Sequence, residues 1–309
     1  MESEETLMTQ EPSQEELLAA VLVADEEGLN AGEDPAQRTT TTILRVMKNL
    51  GMEGCTFAGP GTDPLIDRVH DLIRKLYRPE DIAVGGMHLG VFMFRDIFAR
   101  IGVPRGYGIF PVDPFTHTNL TPIQLRWLQS RPEDLKAFLD QFADIWDFGW
   151  GARELGRTRP ANSDCSNFLN LARFHLQAAA AVATGAFDLG GAVQSSLIAT
   201  ELMLKGGLAA NGLSQSALKN LGHDLTALAA ELSKHETRFD RKRVVATVGQ
   251  FPKYVPNRYS SSQPDRRSTG HIVMGAQYIA GEVVRQLTDR DFRAIAANYP
   301  ARSYPPLPP

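Results

Sequence analysis

Cysteine is scarce in this 309-residue chain: it has two, Cys55 and Cys165. Two thiols cannot build a disulfide framework or a four-ligand zinc site, which fits a reducing compartment. Long apolar runs are missing too. No window of about 18 uncharged apolar residues occurs, so no membrane span is expected. The first 37 residues hold no lysine or arginine. Met1-Glu2-Ser3-Glu4-Glu5 is acidic where a secretory leader would be basic and then apolar, so the expected location is cytoplasmic and Asn119-Leu120-Thr121 is not read as a glycosylation acceptor. The glycines between Gly102 and Gly108 have neither the lysine nor the spacing of a phosphate loop. No cofactor and no metal site is expected.

At 43% apolar and 22% charged, the chain has enough apolar material for one large or two modest cores. Its net charge of −4 hides an asymmetry: residues 1–37 carry eleven acids, which leaves a net +7 beyond them. Residues 1–37 read as a disordered acidic tail, although Ser13-Gln14-Glu15-Glu16 ahead of Leu17, Leu18, Val21 and Val23 could cap a short helix.

The expected fold class is mainly α. Residues 38–155 read as a helical, loop-rich N-terminal region of unknown role. Leu44, Met47 and Leu50 form its first stripe, Asp63-Pro64 caps a second helix, and residues 89–101 read as a buried helix. Thr121-Pro122 and Pro132 open two more, the latter ending at Gly149-Trp150-Gly151. The polar stretch 153–163 is the expected domain boundary. Beyond it, Phe168, Leu171, Phe174 and Ala178 mark one helix, and Leu189, Val193, Leu197, Leu204 and Leu208 mark the next. Leu218 to Leu232 marks a third, and Ile272, Ala276, Ile279, Val283 and Leu287 a fourth. Four helices whose only long connection is the third suggest an antiparallel bundle over 163–294. Residues 295–309 read as a proline-rich tail.

Several residues of this half could carry chemistry. Glu201 and Lys205 form an i,i+4 pair worth about 0.2–0.5 kcal/mol if exposed and much more if buried. His223 sits among leucines and reads as a packing residue; all three are taken as structural. Residues 236–267 hold eight basic residues against three acids, interleaved with Phe239, Phe251, Tyr254 and Tyr259. Charge for phosphate and rings for stacking suit RNA or a nucleotide, as they also suit a solvated loop with a few anchors. The residues assigned to that surface are Arg241, Lys242, Arg243, Lys253, Tyr254, Arg258, Tyr259 and Arg267.

Taken in order, Glu201-Leu202-Met203-Leu204-Lys205, Gly222-His223-Asp224 and Tyr254-Val255-Pro256-Asn257-Arg258-Tyr259 resemble the HEPN superfamily of small four- or five-helix bundles. The resemblance covers about residues 163–294; Gly206-Gly207 departs from the bulkier residues usual there. It implies one of two kinds of protein. One is a non-catalytic module that binds RNA or a nucleotide, as a homo-oligomer (such as a homodimer) or beside a partner enzyme. The Asn257-Arg258-Tyr259 element points to this kind. The other is a metal-independent endoribonuclease with an Arg-x4-6-His motif at the start of the last helix, spelled here by Arg266 and His271. In that role the imidazole would move a proton and the guanidinium would hold the phosphate, but Arg267 stands where the nucleases usually carry a small polar residue. The expected function is the first kind. A structural assembly protein is a further alternative.

Overall fold

A computed structural model of the chain describes residues 11–52, 63–82, 86–106, 111–158, 163–185, 188–235, 238–253, 262–296 and 299–307. Among these residues the protein is mainly helical, with one two-stranded antiparallel sheet. The chain divides into two compact units, Met1–Gly85 and Gly86–Pro309. The division falls well ahead of the stretch 153–163 expected to separate domains, because the helix through residue 153 is built into the second unit.

The first unit contains α1 (Gln14–Asn30), α2 (Pro35–Asn49), α3 (Pro64–Leu76) and the short α4 (Pro79–Ile82). Local sequence explains each start. Ser13 with Glu16 and Asp34 with Gln37 form reciprocal capping boxes, and the Asp63 carboxylate accepts from the Leu65 and Ile66 amides. The described part of the acidic tail is therefore helical rather than disordered. Leu17, Val21 and Ala24 pack with Ile43, Val46, Met47, Val69 and Ile73 in one small core. The expected stripe of α2 shifts accordingly: Leu44 and Leu50 are exposed, while Ile43 and Val46 are buried.

The second unit opens with a correction. Residues expected to form a buried helix form a hairpin, β1 (His88–Phe94) and β2 (Ile97–Val103), paired from His88↔Val103 to Phe94↔Ile97. Six of the seven β1 residues are buried, so its apolar run lacks the alternation that would reveal a strand. The two-residue turn is Arg95-Asp96, with Arg95 at φ 62°, and carries none of the Asn-Gly signal that marks most hairpins.

After a 3₁₀ turn (Pro114–His117) come α5 (Pro122–Gln129) and α6 (Pro132–Thr158), which runs straight through Gly149-Trp150-Gly151. Then follow α7 (Ser163–Gly185), α8 (Leu189–Ala210), α9 (Gln215–Leu221), α10 (Leu225–His235) and α11 (Arg241–Val248). The last are α12 (Arg266–Leu287) and α13 (Phe292–Ile295). The expected third helix is broken in two because Gly222, at φ +64°, ends α9. Part of the expected basic loop is α11. On α7 the buried line is Cys165, Leu169, Ala172, Leu176, Ala179 and Ala183, whereas Leu171 and Phe174 face outward.

The central rod is α12, whose residues 272–285 are all buried, as expected of a helix surrounded by partners. It packs against α6 and α8, while α7 and α10 lie against α8. A Cβ on Gly281 would sit 2.8 Å from the Asp144 carbonyl oxygen, so glycine lets α6 and α12 cross in backbone contact. The Gln277 side chain then behaves like a neighbouring strand. It accepts from the Val91 amide and donates to the Val91 carbonyl, both at 2.7 Å, and also donates to Gln141 at 2.8 Å. This satisfies the Val91 amide and carbonyl on the free edge of β1 inside the core.

Candidate functional site

Sequence reasoning singled out three groups, and the fold treats each differently. Glu201, Lys205 and His223 come together. Glu201 and Lys205 lie one turn apart on α8, and Lys205 Nζ donates to Glu201 Oε1 at 2.7 Å, both side chains being 12% exposed. The Gly222 turn returns the chain to α8, and His223 Nδ1 lies 2.9 Å from both Glu201 oxygens. Glu201 is thus the hub of an internal pair whose third member, the His223 ring, reaches solvent at 59% exposure. His223 is consequently a surface group anchored by a carboxylate, where its leucine neighbours in sequence suggested packing.

Arg266 and His271 do not converge within one chain. Both belong to the first turns of α12, which Asp265 caps through the Ser268 amide at 2.9 Å. Five residues along a helix rotate a side chain by about 140°, and each goes to a different partner. Arg266 Nε donates to the Asp96 carbonyl at 2.9 Å, and its guanidinium lies over Phe98 at 4.9 Å. His271 Nδ1 lies 3.1 Å from the Tyr304 hydroxyl, with the two rings stacked. Burial, and then the neighbouring Arg267 charge, lower the His271 pKa. One residue is committed to the hairpin and the other to the C-terminal segment.

The basic set is only partly a surface. Arg241 and Lys242 on α11, Lys253 after it and Arg267 on α12 are exposed and form no ion pair among the described residues. Arg243, assigned to the same surface, is instead buried. It pairs with Asp240 at 3.0 Å and donates to the Pro305 carbonyl. Tyr254, Arg258 and Tyr259 lie outside the described residues. Phe239 is buried and Phe251 is packed against the core, which makes both anchors.

What sequence reasoning missed is a buried charge network on α6. Asp140, Asp144 and Asp147 are buried on one face of that helix. Asp140 pairs with Arg293 and accepts from the Ser303 and Tyr304 amides at 2.7 and 2.8 Å. Asp144 holds Arg285 and Arg302; Arg285 also reaches Asp147 at 2.9 Å and Glu282 at 3.0 Å. Burial pushes Asp147 up to about 7, although Arg285 works against the shift. The available signal was three acids at i, i+4 and i+7 on an otherwise apolar face. The tail expected to be an extended end is therefore strapped down over residues 299–305.

The loop pair Asp113 and His117 is ordinary turn chemistry. Asp113 caps the 3₁₀ turn through the Phe115 amide, and His117 packs edge-on against Trp146 with its pKa lowered by burial. His117 also lines a cavity of about 390 Å³ with Arg100, Thr116 and Asn119. Among the described residues no helix is long and apolar enough to cross a membrane, and no three His, Cys, Asp or Glu side chains gather as a metal site. No protein-family model, curated protein or solved structure matches the chain.

Proposed function

We propose that residues 163–294 form a HEPN-like four-helix module that binds single-stranded RNA or a nucleotide without cleaving it. The module works as an oligomer or beside a partner enzyme. The observation that carries the binding is the set of exposed cations Arg241, Lys242, Lys253 and Arg267, none with a carboxylate partner among the described residues. Cations left unpaired in this way can exchange counterions for phosphates. The ordered motifs support the HEPN reading, since α7, α8, α10 and α12 supply four rods and the Glu201, Lys205 and His223 motif residues meet at one point. The divergence of Arg266 and His271 supports binding without turnover, because neither is free to share one phosphate.

Fluorescence anisotropy with a labelled single-stranded RNA tests the binding. Affinity should fall log-linearly with salt, with a slope of about −0.7 per phosphate neutralised. Absence of saturable binding at low salt would remove the proposal.

A further inference from the structure

A second cationic feature shares no residue with that surface. Where α6 and α7 meet the ends of the hairpin, a cavity of about 360 Å³ is lined by Arg105, Arg153, Arg173, Asn170, Met87 and Gly149, among others. The residues come from four places in the chain. Arg105 follows β2, Arg153 and Gly149 are on α6, Asn170 and Arg173 are on α7, and Met87 precedes β1. No carboxylate is among the described residues that line it. Glu154, the nearest acid in sequence to Arg153, is occupied by Arg290 at 2.6 Å.

The three guanidinium groups are poorly served by the protein itself. Among the described residues Arg153 finds only the Met87 sulfur, at 3.3 Å, which is a weak acceptor. Arg173 lies over the Phe174 ring at 5.0 Å, and its Nε is buried with no hydrogen-bond partner. Beside them, His88 is 2% exposed with both ring nitrogens unpartnered, and its ring is packed edge-on against Phe148 at 4.8 Å. Burial and the Arg173 charge hold this histidine neutral, so it contributes no competing cation. Three like charges gathered without counter-charge, one with a buried unsatisfied donor, form an arrangement that an anion would complete.

We propose that this cavity binds the phosphate group of a compact phosphorylated small molecule. Guanidinium forks match phosphate oxygens in pairs, and the Asn170 amide adds a neutral donor. The volume lies within the usual range for small-molecule sites and exceeds what a phosphate alone fills. The remainder, walled by Met87, Gly149 and Ala152, suits the organic part of a phosphomonoester. The site is independent of RNA binding at α11 and α12.

Isothermal titration of the full chain with inorganic phosphate, adenosine monophosphate and adenosine tests it. Saturable binding of the monophosphate, with free phosphate competing and adenosine silent, is the expected result. Phosphate binding as tightly as the monophosphate would keep the anion site and make free phosphate its occupant. Arg173→Gln should weaken binding by about tenfold or more. Arg153→Gln and Arg105→Gln, at exposed positions, should do the same should Arg173→Gln fail to fold. Adenosine binding as well as its monophosphate, no saturation by either anion, or equal binding by all three arginine variants would overturn the proposal.

Discussion

Arg302, seven residues beyond the end of α13, grips the fully buried Asp144 of α6 with both terminal nitrogens, at 2.9 and 2.6 Å. Asp144 also takes Arg285 from α12 at 3.0 Å, so one carboxylate ties together a long helix, the central helix and the C-terminal segment. The same segment brings Tyr304 against His271 and Pro305 against Arg243. Two residues expected to face RNA or perform chemistry are thereby turned to holding the tail.

Neutralising Asp144 should be costly. Asp144→Asn leaves two buried guanidinium groups short of a counter-charge, a loss of about 3–5 kcal/mol. The melting temperature should fall by roughly 10 °C. Thermal unfolding checks this, and a change under about 1 kcal/mol would show that the strap contributes little.

Glu201→Gln should destabilise the second unit by about 1–3 kcal/mol, since Lys205 and His223 both lose their charged acceptor. A joint Glu201→Leu, Lys205→Met variant should recover part of that loss, because the pair is replaced by apolar groups of similar size. Urea denaturation of the two variants distinguishes an internal pair from an exposed one, for which the loss would be a few tenths of a kcal/mol.

These acids and arginines also show what the sequence made legible. Helix starts were readable because capping is local: Ser13, Asp63, Thr121 and Asp188 announce helices within four residues of themselves, whereas Asp34 does so inside a stretch read as disordered tail. The hairpin was not, because β1 is apolar on both faces and its turn is Arg95-Asp96. Nor was the strap, whose pairs join residues about 140–160 positions apart, such as Asp140 with Arg293 and Asp144 with Arg302. Phe174 and Leu171 kept helical spacing yet face outward, because the small residues Ala172, Ala179 and Ala183 allow the close packing. Of the candidate site, motif spacing brought out Glu201, Lys205 and His223; the tertiary partners of Arg266, His271 and Arg243 had no local sign.

Acid should weaken the fold through His88. Burial and then the Arg173 charge lower its pKa to about 3 from an ordinary 6.5. Between those values the unfolded chain binds more protons than the folded one, so stability is complete above about 6.5 and declines by about 1.4 kcal/mol for each unit below it. Denaturant midpoints measured from pH 7.5 to 5 should fall less steeply in His88→Leu than in the parent. Parallel curves would refute a buried neutral imidazole.

Gly281→Ala places a methyl 2.8 Å from the Asp144 carbonyl oxygen and 2.9 Å from its Cα. Backbone cannot swing aside as a side chain can, so α6 and α12 must separate, at about 1–3 kcal/mol. Circular dichroism melts report the loss, and an unchanged melt would mean that the crossing is looser than described.

On the RNA surface, Arg241→Ala, Lys242→Ala and Arg267→Ala should each weaken single-stranded RNA binding across sequences and reduce the salt slope by roughly one phosphate's worth. Arg243→Ala should act on thermal stability instead, through Asp240 and the Pro305 carbonyl.

Incubation of the full chain with labelled single-stranded RNA in EDTA, read by binding and by gel from the same tube, reaches the core of the account. Saturable, salt-sensitive binding with the RNA intact over hours is the predicted result. RNA cleavage that disappears in His271→Ala would contradict it, and would mean that Arg266 and His271 find their partners across two chains.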